Sequence, residues 1–138
     1  MVTRDKNLIY QYAQKVYEKK MSRDEALVLI EAKLKKLVFN KVSMSYYIEA
    51  FCYMLDGRKY TRSISTELRV FYLEKILEEY GVQKLKKALD AFMKHIEYYE
   101  GISSTHRKIE REIYDDFSEI VERIEGMFSA VEGKRSYE

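Results

Sequence analysis

The stretch Val82-Gln83-Lys84-Leu85-Lys86-Lys87-Ala88-Leu89-Asp90-Ala91-Phe92-Met93-Lys94-His95-Ile96-Glu97-Tyr98-Tyr99-Glu100 decides the fold. At about 100° per residue, Val82, Leu85, Leu89, Phe92, Met93, Ile96 and Tyr99 fall on one stripe, with Lys84, Lys87, Asp90, Lys94 and Glu97 opposite. That is an amphipathic helix over about residues 82–100, stopped on either side by Gly81 and Gly101. It is too long for a strand and has the wrong period.

The same period recurs along the whole chain. A first helix over about 4–20 turns Leu8, Ile9, Tyr12, Ala13 and Val16 inward. Ser22 followed by Glu25 is a capping box for a second helix of about 23–38, whose buried face is Ala26, Leu27, Ile30, Leu34 and Leu37. Lys33, Lys35 and Lys36 near its end suit the negative end of the helix dipole. Ser43 is the expected cap of a third helix, about 44–56, with Ile48, Phe51, Cys52 and Leu55 inward and Gly57 just past its end. Ser63 or Ser65 caps a fourth, about 65–80, with Leu68, Phe71, Tyr72, Leu73 and Ile76 facing the core. The last helix, about 105–132, carries Ile109, Ile113, Phe117, Ile120, Val121, Ile124, Phe128 and Val131 on one stripe.

Composition agrees with an all-α chain. Among 138 residues there is no proline and there are five glycines, so nothing breaks long helices and little supports hairpins. The expected architecture is a bundle of five to six helices in one domain, residues 1–132, with a flexible tail at 133–138. A lone Cys52 excludes an internal disulfide and reads as a small buried hydrophobe. The apolar runs are far shorter than the roughly 20 residues that span a bilayer, and Met1-Val2-Thr3-Arg4-Asp5 has no leader core. A cytoplasmic protein without membrane attachment is the expectation. The net charge of +2 conceals an asymmetry: residues 1–100 hold 19 basic and 14 acidic groups, residues 101–138 hold 6 and 9. The last helix is therefore acidic and the rest mildly basic.

Catalytic chemistry finds little to use. The two histidines, His95 and His106, lie on different helices, and the chain has no Cys-x-x-Cys or His-Glu-x-x-His spacing, so no metal and no cofactor are expected. There is no phosphate-cradling glycine loop, and Cys52 sits on an inner face without a paired base. Asp115-Asp116 and Glu78-Glu79 read as solvated carboxylates. No catalytic residue is assigned, and an enzyme is not expected.

The turn Gly57-Arg58-Lys59-Tyr60-Thr61-Arg62 is different. Arg58, Lys59 and Arg62 are phosphate donors on a short positioned loop, Tyr60 is placed to stack on a base, and Lys84 and Lys87 extend the patch. His95 lies at the border of its helix's apolar stripe, where it is either a core-edge histidine or a phosphate or base contact. The competing reading makes Tyr60 a core anchor and pairs the cations with Asp56 or Glu67. The last helix offers a second surface, Ile109, Ile113, Phe117, Ile120, Ile124 and Phe128, which packs within the chain or meets a partner or a second copy.

The run Met54-Leu55-Asp56-Gly57-Arg58-Lys59-Tyr60-Thr61-Arg62-Ser63-Ile64-Ser65 carries a further signal. Together with Phe71-Tyr72-Leu73-Glu74-Lys75-Ile76, Glu79-Tyr80-Gly81, Leu85, Ala88-Leu89 and His95-Ile96-Glu97-Tyr98-Tyr99-Glu100, it resembles the helical region N-terminal to the nuclease domain in some bacterial restriction-type HNH endonucleases. The likeness covers about 47 residues, a third of the chain. It implies an accessory helical module beside a DNA-cutting domain. The nuclease chemistry does not carry over, because no His-Asn-His arrangement or paired cysteines accompany it. The expected function is a non-catalytic nucleic-acid-associating module. The alternative is a protein-interaction module, docking a partner or forming a homodimer through helix 105–132, of phage or mobile-element origin.

Overall fold

A computed structural model describes residues 1–34 and 39–135, with side chains through residue 130. Within them the chain forms six helices: α1 (Thr3–Tyr17), α2 (Arg23–Lys33), α3 (Lys41–Asp56), α4 (Thr66–Tyr80), α5 (Val82–Ser103) and α6 (Lys108–Arg135). No strand occurs among the described residues. The all-α expectation holds, and the interesting differences lie at the helix ends.

Asn40, not Ser43, caps α3: its Oδ1 accepts from the Ser43 amide at 3.1 Å, so the helix starts three residues earlier than expected. Both residues are good caps, and Asn40 wins by coming first in the chain. The expected caps of α2 and α4 are in place, Ser22 accepting from the Glu25 amide and Ser65 from the Leu68 amide. Gly101 does not end α5. It lies inside the helix, which runs to Ser103 and closes on Ser104 in the left-handed region, φ 54°. Gly101 falls in the last turn, where a glycine costs less than the about 1 kcal/mol of a helix interior. α1 ends at Tyr17 and α6 begins at Lys108, each three residues inside its expected bound, while α6 runs on to Arg135, into the expected tail. Lys35, Lys36 and Leu37, expected in the last turn of α2, lie outside the described residues, as do residues 136–138 and the Val131 side chain.

Phe51 of α3 sits at the centre of the core. It is fully buried, edge-on to Tyr10 of α1 at 5.4 Å and to Tyr72 of α4 at 5.1 Å, with Tyr17 and Tyr80 further out. Such edge-to-face pairs add to the area each ring removes from water. The tyrosine hydroxyls reach polar partners at the core rim: Tyr72 donates to the Tyr47 carbonyl, and Tyr10 to Glu79. Glu79 therefore has a structural task beyond solvation.

Two glycines set the topology. Gly81 alone separates α4 from α5, at φ 92° and ψ 176°, where a side chain is strained; it caps one helix and opens the next. Gly57, at φ 68°, closes α3 in a Schellman motif, with Arg58 N–H donating to the Tyr53 carbonyl at 2.9 Å and Gly57 N–H to Met54 at 3.2 Å. This reversal aims residues 58–65 back along α3. Gly57→Ala is expected to cost about 1 kcal/mol from the left-handed backbone alone, since a Cβ there meets Lys87 at an ordinary 3.5 Å. Urea unfolding at neutral pH measures it, and a loss near zero would contradict the strain.

α6 runs antiparallel to α5. Arg111 grips Glu100 through both Nε, at 2.8 Å, and Nη2, and at the other end Lys86 meets Glu125 at 3.1 Å. Glu100 also accepts from the Arg107 amide, and these donors hold its carboxyl down at about 2. Phe117 and Val121 are buried against α5, and Ile113, Ile120 and Ile124 are half-buried. Ile109 and Phe128, expected on the same stripe, are each 62% exposed. No helix among the described residues is long and apolar enough to cross a membrane.

Candidate nucleic-acid interface

Residues 57–65 form an extended strap along the seam between α3 and α5. Two inward anchors hold it. Tyr60 is 2% exposed and Ile64 is buried beside it. The Tyr60 ring lies flat on the His95 ring, centroids 4.3 Å apart and planes 15° apart. His95 Nδ1 is 2.6 Å from the Tyr60 carbonyl oxygen. A carbonyl only accepts, so Nδ1 carries the proton and Nε2 holds the lone pair. Behind the tyrosine, Arg69 of α4 donates from Nε to the Tyr60 hydroxyl at 3.2 Å and lies over the Phe92 ring at 4.8 Å. Arg69 is itself 1% exposed, and Arg69 Nη2 and His95 Nε2 have no protein partner among the described residues.

This arrangement corrects two expected surface contacts. Tyr60 is a core anchor, its ring covered by His95, and it has no free face for a base. His95 is buried as well; burial pushes its pKa down to about 4, so it is neutral at pH 7 and contributes no charge to the surface. Lys84 is a third correction. Its Nζ points inward, donating to the Leu55 carbonyl at 3.2 Å and the Tyr17 hydroxyl at 3.0 Å, where it satisfies the C-terminal end of α3.

Arg58, Lys59, Arg62 and Lys87 are all exposed, as expected. With the backbone turned inward at Tyr60, the cations splay to both sides. Arg58 lies over Tyr53 of α3 at 4.6 Å, Arg62 over Tyr46 of α3 at 5.0 Å, and Lys59 over Tyr98 of α5 at 4.5 Å. Lys94, absent from the expected set, joins them by donating to the Gly57 carbonyl at 2.9 Å, and Lys87 flanks Gly57 through its backbone. Among the described residues none of Arg58, Lys59, Arg62, Lys87 and Lys94 forms an ion pair. Asp56 and Glu67, the carboxylates considered for that role, are engaged elsewhere: Asp56 accepts from Tyr17, and Glu67 faces the N-terminal amine at 3.5 Å. The outer row of α5 interleaves Lys87 and Lys94 with exposed Asp90 and Glu97.

Cys52 is half-buried on α3, and burial raises its thiol to about 11, so it is not a thiolate at neutral pH. Among the described residues no three His, Cys, Asp or Glu side chains cluster to hold a metal. Comparison with family models, with curated proteins and with solved structures finds no match.

Proposed function

We propose that this chain is a non-catalytic helical module that holds nucleic acid against the strap 57–62 and the adjoining row of α5. The observation that carries this reading is the three exposed cations of the anchored strap, Arg58, Lys59 and Arg62, with Lys87 and Lys94 of α5 beside Gly57, none of which forms an ion pair among the described residues. A buried ion pair would explain a cation in structural terms. Cations left on tyrosine faces keep their charge available to phosphate. The likeness of residues 54–100 to the helical region beside HNH nuclease domains supports the same reading, since it sets such a module next to DNA.

The test is binding of labelled oligonucleotides by anisotropy across a salt series. Affinity is expected to fall with a log–log slope of about 0.7–0.9 per phosphate contact. Replacing Arg58, Lys59 and Arg62 together by serine should shallow that slope by about 2–3 and leave the fold intact. Undetectable binding to single-stranded, duplex and structured nucleic acid at low salt would sink the proposal.

A second reading rests on α6, where Ile109, Met127 and Phe128 are 62–69% exposed. Its charge narrows the occupant: residues 108–130 hold three basic and seven acidic side chains, so two copies side by side repel and a basic amphipathic helix fits. A monomer in sedimentation that binds a Leu/Lys-patterned helical peptide, and loses it in Phe128→Glu, supports this occupant; a concentration-dependent dimer contradicts it.

A further inference from the structure

The strap does more than expose charge. Each of its three cations rests on a half-buried tyrosine supplied by a flanking helix: Tyr46 and Tyr53 from α3, Tyr98 from α5. Tyr46 and Tyr53 are seven residues apart, two helical turns, so their rings stand about 10 Å apart along one face. Tyr98 lies across the strap from them, edge-on to Tyr99 at 5.4 Å, which itself tilts against His95 at 4.8 Å. Tyr53 packs against the same core that fixes Tyr60, and Tyr98 is tied to it through Tyr99.

We propose that this surface is a binding site for single-stranded nucleic acid, in which Tyr46, Tyr53 and Tyr98 stack bases and Arg58, Lys59 and Arg62 take the intervening phosphates. It rests on the nucleic-acid reading above and goes further by naming the strand state. The chemistry is that of a positively charged track with aromatic platforms beside it, which is tolerant of sequence because every base has a π-face. A phosphate entering the strap draws a cation off its ring, and the uncovered ring receives the neighbouring base. A duplex cannot use the rings, because its base faces are stacked away. The strap also has nothing to insert into a groove, since Tyr60 and Ile64 pin it flat against the core. Tyrosine emission can follow binding, because the protein has no tryptophan to mask its 13 tyrosines.

The experiment compares oligonucleotides of one sequence as single strands and as duplexes, in both DNA and RNA, against the wild-type protein and Tyr46→Leu, Tyr53→Leu and Tyr98→Leu. Leucine keeps an apolar body over the helix surface and removes the π-face. The expected results are tighter binding of the single strand, quenching of tyrosine fluorescence on binding, and about a tenfold loss of single-strand affinity for each leucine variant. The salt slope should stay unchanged, because the phosphate contacts remain. Urea unfolding run in parallel identifies any variant whose loss comes from the fold, and Tyr53→Phe and Tyr98→Phe should bind as wild type. Equal or tighter duplex binding, or leucine variants that bind single strands as wild type does, overturns the stacking proposal while leaving the phosphate reading intact. Failure to bind any nucleic acid removes both.

Discussion

Tyr60→Ala is expected to lose about 4 kcal/mol of folding stability and, with it, nucleic-acid binding. Truncating a large buried ring typically costs about 3–5 kcal/mol, through lost transfer energy and the cavity left behind. Here the ring is 2% exposed and covers one face of His95, so little can collapse into the space. The change also removes the hydroxyl that accepts from Arg69 Nε, leaving a buried guanidinium without that bond. Domains of this size have about 5–15 kcal/mol in total, so the variant should be folded but close to its limit. Tyr60→Phe separates the two contributions. It keeps the ring and the stack on His95, forfeits only the hydroxyl, and should cost about 1–3 kcal/mol while the strap stays seated and binding persists. Urea denaturation of the three proteins gives the stabilities, and anisotropy at a temperature where all are folded gives the binding. A Tyr60→Ala protein within about 1 kcal/mol of wild type would mean that the strap is not anchored there.

The contrast between what the sequence displays and what the fold does with it is clearest around this anchor. The helical stripes are legible because the 3.6-residue period is imposed on every core position at once: Leu85, Leu89, Phe92 and Ile96 are all buried, as the pattern of α5 requires. The glycine punctuation at 57 and 81 is legible for the same reason, since only backbone freedom explains glycine at a helix end. Arg69 escapes such a reading because arginine is ordinarily solvated. Yet its position holds a signal, as residues 69, 72, 73 and 76 share the i, i+3, i+4, i+7 spacing of the buried face of α4. Tyr60 and Arg62 illustrate the opposite difficulty. Two residues apart on an extended strap, one points into the core and the other out to Tyr46, and no helical period tells them apart. Lys84 misleads because a lysine on a helix looks like surface until a neighbouring helix end supplies carbonyls for it. Lys94 does not stand out as a patch member because its proximity to Gly57 is a fact of tertiary packing.

His95 should make the fold sensitive to mild acid. Its pKa in the folded protein is down at about 4, from an ordinary 6.5, first because burial opposes the charged ring and further because Arg69 and Arg107 repel it; the hydrogen bond to the Tyr60 carbonyl and the Glu110 carboxylate pull the other way. Between those two values the unfolded chain binds a proton that the folded protein refuses, so stability rises with pH across the window. The contribution is fully present above about 6.5 and is lost as pH falls through about 4. Every pH unit across that window is worth about 1.4 kcal/mol, and the loss amounts to about 3 kcal/mol. Glu100, held at about 2 by Arg111 and the Arg107 amide, acts in the same direction but lower, between its ordinary 4.5 and about 2. The two windows barely overlap, so the loss of stability between about pH 6.5 and about pH 4.5 belongs to His95 and not to Glu100. His95→Asn removes the titrating ring and keeps an amide N–H at the place of Nδ1 for the Tyr60 carbonyl; whatever it costs at neutral pH, its profile should be flatter by about 3 kcal/mol from about pH 7 to about pH 4. Parallel profiles for the two proteins would show that His95 takes up its proton without leaving the core. The strap would then stay seated in acid, and any loss of binding there would have to come from the nucleic acid or from the exposed groups of the interface.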